Sequence, residues 1–541
     1  MVHSPALPAK WNEGSSCRRR RMLANMGRLI GQNARQYWER RALVNLERDR
    51  SFSFGQMHLL SNRMSHVLTG RFGLRQGDVY VNLLENDHVA LFHPWMLKCP
   101  ATGAWIDVRE SLAEQLKQID YVTPRAAFIE TRFLGDLMDP LLDRGIELVC
   151  MDPPPEKRPG LHSFWDLVER ASDAEVNAEF AWDDASSHVS VLRFTGGTTG
   201  TAKCAMYTPS NLWGWGMNAA HYLHTVTFPY PGALLFSPIN HAASGSVVIP
   251  VQLKGGTLYT LNKADVGVIA HNIQKERIEL IYTVPTVLYR MLDLPAKHDF
   301  SSLKTIRYGG APISPSKLEL LLRRFGQIFV QGYGSTECWP SCTVMTREDH
   351  RLDSPEQIAR LASVGRPFPG EEILLCNDDG SQVPAGTQGE LYIRGPNTIQ
   401  GYYKAVELTA ENFTSNGFWK SGDLGYSDDE GYIFLVDRKK DMIITGGYNV
   451  YATEVENCLN SHPGVSSSAV AGVPDEDWGE AVCALVTLRQ GADLSASELI
   501  AYCRKHLAGY KVPKKLELVE SLPVSAVGKV LRREVRRHYR R

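Results

Sequence analysis

Between Phe194 and Lys203 the chain reads FTGGTTGTAK, placing three glycines, four threonines and a lysine at the end of the apolar run VSVLRF. Glycines let backbone N–H groups approach a phosphate closely, hydroxyls donate hydrogen bonds to its oxygens, and the Lys203 ammonium offsets its charge. Thr195, Gly196, Gly197, Thr198, Thr199, Gly200 and Lys203 are therefore candidate phosphate ligands, with a Thr/Gly-rich surface turn as the alternative for the stretch taken alone. A Walker-type loop is excluded. That pattern needs lysine directly after the last glycine and a hydroxyl residue after the lysine, whereas Thr201 and Ala202 intervene here and Cys204 follows.

Further segments carry chemistry downstream, in a fixed order. FSPINHAASG runs from Phe236, YGGAPIS from Tyr308, QGYGSTE from Gln331, GELYIRGPNTIQGYY from Gly389 and SGDLGY from Ser421. DRKKDMIITGGYNV begins at Asp437 and PVSAVGKVLRR at Pro523. With the opening loop, these closely resemble the adenylate-forming superfamily of acyl-CoA ligases, peptide-synthetase adenylation domains and firefly luciferases, the acyl- and aryl-CoA ligases above all. The resemblance runs from a helix near Ser53 to Arg533.

The resemblance implies a reaction in two halves. A carboxylate attacks the α-phosphorus of ATP to give an acyl-adenylate and pyrophosphate; the thiol of coenzyme A then attacks the acyl carbon and AMP leaves. Two anions must meet, so the protein has to neutralise charge, fix the nucleotide and align the attacking oxygen. By the same resemblance Glu337 is the magnesium-linked glutamate, a hard oxygen ligand suited to Mg2+ on ATP phosphates, and Thr198 stands with it. Tyr333, between Gly332 and Gly334, offers an aromatic face to adenine, while Gly309, Gly310 and Ala311 leave a slot opposite. Pro312, Gln331 and Thr336 complete the nucleotide set. Asp423 is the ribose-binding acid, able to accept from both sugar hydroxyls, and Arg438 the second ribose and phosphate contact. Lys529 in SAVGKV bridges the substrate carboxylate and ATP. Surface ion pairs, core packing and a solvated basic tail are the competing accounts of these residues. The lysine motif carries Ser525 and Ala526 where threonine and proline often stand in the family, and the segment around Trp105 lacks the family's proline-rich strand end.

The implied domains are an ATP- and acyl-binding domain at 1–436, a hinge at 437–441 and a mobile lid at 442–541 that carries Lys529. Rotation about Lys440 would withdraw Lys529 and bring Gly446, Gly447 and Tyr448 toward the acyl-adenylate. Trp478, Tyr510 and Lys514 resemble coenzyme A contacts of aryl-CoA ligases. Amino-acid-activating relatives place an aspartate in the FSPINH region against the substrate ammonium. This chain has none there, so an uncharged aromatic or medium-chain acid is expected. His241 takes the aromatic-gate position beside it, and Ala242, Ala243, Ser244 and Gly245 leave room. Trp339, Cys338 and Cys342 are candidates for another wall of that pocket. An adenylating enzyme that loads an acyl carrier protein, and a non-catalytic nucleotide-binding protein, are the other two hypotheses.

The elements that must position these residues are legible in the periodicity. Ser53 to Gln56 has the form of a capping box, and Met57, Leu60, Met64 and Val67 follow at helical spacing. VYVNLL (79–84) and IELVCM (146–151) read as buried strands, with FLGDLMDPLLDRG between them as helix interrupted near Pro140. Such alternation implies α/β layers with mixed, mostly parallel sheets. In the lid, Thr453 to His462 reads as a helix, Ser495 to Glu498 as a second capping box, and 481–488 and 516–519 as strands, which makes it α+β.

Composition excludes little but narrows the setting. With 541 residues the chain exceeds the size of one core. The 59 Lys+Arg balance 60 Asp+Glu, so no nucleic-acid partner is indicated. Arginine clusters at 18–21 and from Arg532 onward read as solvated faces, the first not as a presequence because Glu13 precedes it. The longest apolar stretch is broken by Asn240 and His241, so no stable membrane insertion is expected. The ten cysteines lack paired spacings and read as reduced thiols of a cytoplasmic protein, with a homodimer allowed.

Overall fold

The computed structural model describes residues 26–92, 98–176, 188–195, 203–212, 214–215, 228–241, 244–295, 297–525 and 529–540. Two large sheets dominate them. A seven-stranded sheet runs in the order Leu161–Ser163, Glu147–Cys150, Ala126–Ile129, Val79–Leu83, Thr102–Trp105, Val191–Phe194, Cys204–Tyr207, all parallel except the last pair. A nine-stranded sheet is parallel from Phe329–Tyr333 through Thr305–Gly309, Leu280–Thr283, Gly232–Leu235 and Thr257–Thr260 to Arg41–Asn45. Antiparallel strands close both of its edges.

Strands such as VYVNL are buried along their whole length because both faces of the sheet are covered, which is why they are continuously apolar instead of alternating. One core lies between the sheets and includes Tyr80, Phe128, Leu235, Leu280, Val330 and Trp339. Helices cover the outer faces. Ile269, Leu288 and Leu318 pack on the nine-stranded sheet, and Ile119, Leu134 and Leu141 on the seven-stranded one. The Ser53 capping box forms with both reciprocal bonds, and Met57, Leu60, Met64 and Val67 are buried. Pro140 is accommodated in the first turn of the helix Met138–Asp143, so the interruption falls before it, at the turn Gly135–Leu137. The segment at Trp105 forms a regular central strand.

A four-stranded antiparallel sheet, Glu372–Cys376, Gly389–Arg394, Trp419–Ser427 and Ile433–Arg438, leads to the turn Lys439–Asp441. Beyond it lies a five-stranded sheet built on the hairpin Val465–Asp475 and Gly479–Leu488, with its own core of Val455, Leu459, Val470, Val482 and Leu499. The Ser495 capping box opens its helix Ala496–His506. This C-terminal unit docks on the N-terminal part through the Lys317 ammonium, which donates to the Val465 carbonyl, and through Gln388 Nε2, 2.9 Å from the Tyr451 hydroxyl.

Two strands meet at a distance only glycine permits. A Cβ on Gly309 would sit 2.3 Å from the Gly332 carbonyl oxygen of the neighbouring strand. Gly309→Ala is therefore expected to lower stability by about 1–3 kcal/mol, read as a lower urea midpoint; an unchanged midpoint would contradict the close approach.

Candidate nucleotide and acyl site

The C-terminal ends of the parallel strands collect the polar residues, as is usual for open α/β sheets. The strand Phe329–Tyr333 ends in GSTE, and Glu337 there is buried. Its Oε1 accepts from the Tyr402 hydroxyl at 2.9 Å and its Oε2 from the Ser335 hydroxyl at 2.8 Å. A carboxylate has about four acceptor positions, so oxygen lone pairs remain for a hard cation, and the donor chemistry fits Mg2+. The two ends of the phosphate stretch lie on an antiparallel pair: Phe194 faces Cys204, and the Thr195 N–H donates to the Lys203 carbonyl at 2.7 Å. Lys203 Nζ donates to Asn412 Oδ1 at 2.7 Å and lies 5.1 Å from the Tyr402 ring centroid. Gly196, Gly197, Thr198, Thr199 and Gly200 lie outside the described residues, as do Ala242, Ala243, Ala526 and Gly528.

Tyr333 and Asp423 are joined. The tyrosine hydroxyl donates to Asp423 Oδ2 at 2.6 Å, and Arg438 Nε donates to Oδ1 at 3.1 Å. Asp423 and Arg438 face each other across antiparallel strands, which sets the pair. The Asp423 charge is the main reason the Arg438 pKa is raised. Gln331 is buried and accepts from the Tyr308 hydroxyl at 3.2 Å, a bracing contact beneath the strand end. The Thr336 carbonyl accepts from the Tyr207 hydroxyl. Gly310 adopts φ 79° with Ala311 and Pro312 beyond it at the surface of the cleft.

Lys529 arrives from the C-terminal unit. Its Cε lies 3.5 Å from where a Cβ on Gly310 would stand, so the glycine leaves it room. Ser525 holds the loop at both ends, its N–H donating to the Lys529 carbonyl at 2.7 Å and its hydroxyl accepting from the Lys529 N–H at 3.2 Å. Burial and then Arg438 push the Lys529 pKa down to about 8, while Asp423 and Glu337 pull the other way. His241 follows the strand Gly232–Leu235, and burial, Lys529, Arg193 and Arg109 hold it well below its ordinary value, as a neutral imidazole.

Lys440 stands on the turn Lys439–Asp441, largely exposed as a residue, and partial desolvation of its ammonium followed by the nearby Arg438 charge lowers its pKa. Gly446 and Gly447 have positive φ, and the Gly446 N–H donates to the Trp478 carbonyl at 2.8 Å. Tyr448 stacks on Tyr510 with centroids 4.6 Å apart, and Lys514 Nζ lies 4.3 Å from the Trp478 ring centroid. Tyr448 and Trp478 remain 58% and 43% exposed. The structure thus separates the residues into a candidate nucleotide cleft containing Lys529 and an exposed aromatic patch on the C-terminal unit. Trp339, Cys338 and Cys342 are fully enclosed in cores.

These features coincide with a family model. The description "AMP-binding enzyme" matches residues 30–403, and "AMP-binding enzyme C-terminal domain" matches 454–529. The chain belongs to the AMP-binding enzyme family. A feruloyl-CoA synthase of Amycolatopsis is 39% identical over 69% of this chain and 73% of its own length. The long-chain-fatty-acid–CoA ligase FadD13 of Mycobacterium tuberculosis is 30% identical over 96% of this chain and 99% of its own. ATP-bound MatB from Rhodopseudomonas palustris superposes with a TM-score of 0.84 at 26% identity, covering 96% and 99% of the two chains. As a member of this family the protein is an adenylate-forming acid–thiol ligase that uses ATP, Mg2+ and coenzyme A. Among the described residues no helix is long and apolar enough to cross a membrane.

Several positioning residues escaped the sequence reading. Tyr402 and Asn412 orient Glu337 and Lys203, and lie far away in sequence within or after the QGYY segment. A buried group of Asp87, His88 and Glu130 has metal-ligand geometry, but Arg48 pairs with both carboxylates and Arg132 with Glu130 at 2.6 Å, so its charges are already met. Asn86, beside it, braces the FSPINH segment: Nδ2 donates to the Ser237 and Leu261 carbonyls at 3.0 and 2.7 Å, and Oδ1 accepts from the Ile239 N–H at 2.8 Å. Asn86→Ala would strip three buried backbone groups of partners. A loss of about 2–3 kcal/mol is expected, together with a raised KM for the acid; wild-type stability would contradict the brace.

Proposed function

We propose that this protein activates an uncharged aromatic or medium-chain carboxylic acid as its adenylate and passes the acyl group to coenzyme A, with Lys529, Glu337, Asp423, Arg438 and Lys203 as the working residues. The observation that carries the assignment is the convergence of Lys529 on Gly310, Glu337, Asp423 and Arg438 from a separate C-terminal unit. In this reading Lys529 stabilises charge between the substrate carboxylate and the α-phosphate. Glu337 would hold Mg2+, which when bound supplies charge neutralisation on the phosphate oxygens. The stretch Thr195 to Lys203 holds the phosphates that leave as pyrophosphate, Tyr333 supports adenine, and Asp423 with Arg438 grips the ribose.

The same arrangement supports a two-state lid. With Lys529 in the cleft, Trp478, Tyr448 and Lys514 form an exposed patch that suits the nucleotide portion of coenzyme A and is turned to solvent. We assign 1–436 to the acyl- and ATP-binding domain, 437–441 to the hinge and 442–541 to the lid, with rotation exchanging the cleft lysine for Gly446, Gly447 and Tyr448. Arg532 ties this hinge to the lid: it lies 3.8 Å from Asp437, 3.6 Å from Asp441 and 3.0 Å from Glu456. An uncharged acyl tail is favoured because Ser237, Pro238 and Ile239 present no carboxylate beside neutral His241. The free thiols of the described cysteines accord with a reducing, cytoplasmic setting, and a homodimer is the assembly to test by light scattering.

Lys529→Ala is expected to abolish acid-dependent pyrophosphate release while sparing transfer from a preformed acyl-adenylate to coenzyme A; equal loss of both would refute the two-state lid. Lys440→Pro should do the reverse. Because the Lys529 pKa lies at about 8, the cationic form is lost as pH rises through that value. The kcat/KM for pyrophosphate release should therefore fall about tenfold per pH unit above it, and a flat profile to pH 10 would exclude Lys529 as the essential cation.

A further inference from the structure

Among the described residues Arg193 is a buried cation without a counterion. It stands on the strand Val191–Phe194, opposite Trp105 in the parallel register, on the face that looks into the core between the two sheets. Its guanidinium carbon lies 4.7 Å from the Trp105 ring centroid, 5.0 Å from that of Trp339 and 5.6 Å from that of Tyr207. The residue is 3% exposed. Among the described residues its Nε and Nη1 have no hydrogen-bond partner, and no carboxylate acts on it. Burial lowers its pKa only to about 10, so the group is charged at neutral pH.

Two other arginines, the partly exposed Arg48 and the buried Arg307, show what is missing. Arg48 pairs with Asp87, Glu130 and Asp152. Arg307, on the neighbouring sheet, donates to the Ser246 carbonyl at 3.2 Å and the Ser341 hydroxyl at 3.1 Å. An unpaired buried ion costs several kcal/mol, and a desolvated cation over an aromatic face recovers about 2 kcal/mol. Three rings therefore meet much of the charge of Arg193, yet among the described residues its Nε and Nη1 donors stay open. Donors without a demand for countercharge are answered by a neutral oxygen. Two of the three rings lead to the candidate cleft, the Tyr207 hydroxyl donating to the Thr336 carbonyl and Trp339 standing two residues beyond Glu337, and Arg193 also bears on the titration of His241; its open donors therefore lie beside the strand end that carries Glu337.

We propose that Arg193 is a specificity-determining residue of the acyl site and that the natural substrate carries a neutral acceptor oxygen, a hydroxyl, methoxyl or keto group, remote from its carboxylate. The proposal rests on the ligase reading above and names the substrate class within it. A site built to hydrogen-bond a substrate oxygen rejects the analogue lacking it, because its buried donors are then left unpaired. A plain hydrocarbon tail would leave Arg193 unanswered; an oxygenated one would complete it.

The test measures kcat/KM for pyrophosphate release with matched acids: 3-phenylpropenoic acid, its 4-hydroxy, 4-methoxy and 4-carboxy derivatives, and octanoic acid beside 7-oxooctanoic acid. The wild-type enzyme should prefer a neutral oxygenated member of one series over its parent by about 100-fold. In Arg193→Met that ratio should collapse to about 1. No preference in the wild-type enzyme, or the same preference in both proteins, would overturn the assignment, and a preference for the 4-carboxy acid would overturn the neutral oxygen. The wild-type panel decides the substrate class even where the variant fails to fold. Pyrophosphate release with none of the acids would instead refute the ligase reading itself.

Discussion

The carboxylate of Asp423 is the tie on which the site depends. It takes a hydrogen bond from Tyr333 at the end of a strand in the nine-stranded sheet and another from Arg438 at the entrance to the turn Lys439–Asp441. One buried anion thereby connects the large sheet, the small antiparallel sheet and the joint to the C-terminal unit. Its charge also works, with that of Glu337, against the effect of the Arg438 cation on Lys529. The chemistry asks for the reverse of a neutral site. Cations must be gathered to receive two anions, and the protein has to hold them together before those anions arrive.

Glycines make this gathering sterically possible. Gly309 and Gly332 bring two strands into contact that a methyl group would block, and Gly310 leaves the space that Lys529 enters. Gly334 likewise lies where a Cβ would come within 2.6 Å of the Ser341 backbone. The Gly-rich strand ends are thus close-packed positions as much as flexible ones. The free-standing aromatic patch at Trp478 and Tyr448 is the opposite case, large rings left in solvent with Lys514 over one of them. In the proposed two-state lid it is the surface that would be used after the C-terminal unit has turned.

Buried charge is treated in two ways within one fold. Around Glu130 and Asp87 every charge has a partner: Arg48, Arg132 and the Glu85 N–H surround the carboxylates. That network joins the strand ends of the seven-stranded sheet to the brace at Asn86. Arg193 sits in the same N-terminal part with aromatic faces alone for company. A structural arginine can be satisfied within the chain, whereas a recognition arginine is completed from outside, and the contrast separates the two roles.

Much of this was legible in the amino-acid sequence. The capping boxes at Ser53 and Ser495 depend on side chains three residues apart, and the buried strands depend on continuous apolar runs, so local pattern sufficed for both. The motif residues Glu337, Tyr333, Asp423, Arg438 and Lys529 could be named because each stands in a short, ordered segment. What sequence could not show was contact between distant segments. Tyr402 on Glu337, Asn412 on Lys203 and Asn86 beneath the FSPINH segment are separated from their partners by 65, 209 and about 150 residues. Pro140 was read as an interruption, but the chain turns before it and uses it to begin a helix. Trp339 was placed as a wall, and Arg193 passed as one residue of an apolar strand, until sheet packing set one against the other. The sequence by itself determined which chemical groups are present and which short elements carry them, because those follow from local spacing. Only the tertiary structure decided which groups meet, which charges are answered and which, like Arg193, are left open, because burial and pairing exist only once separate strands have been packed together.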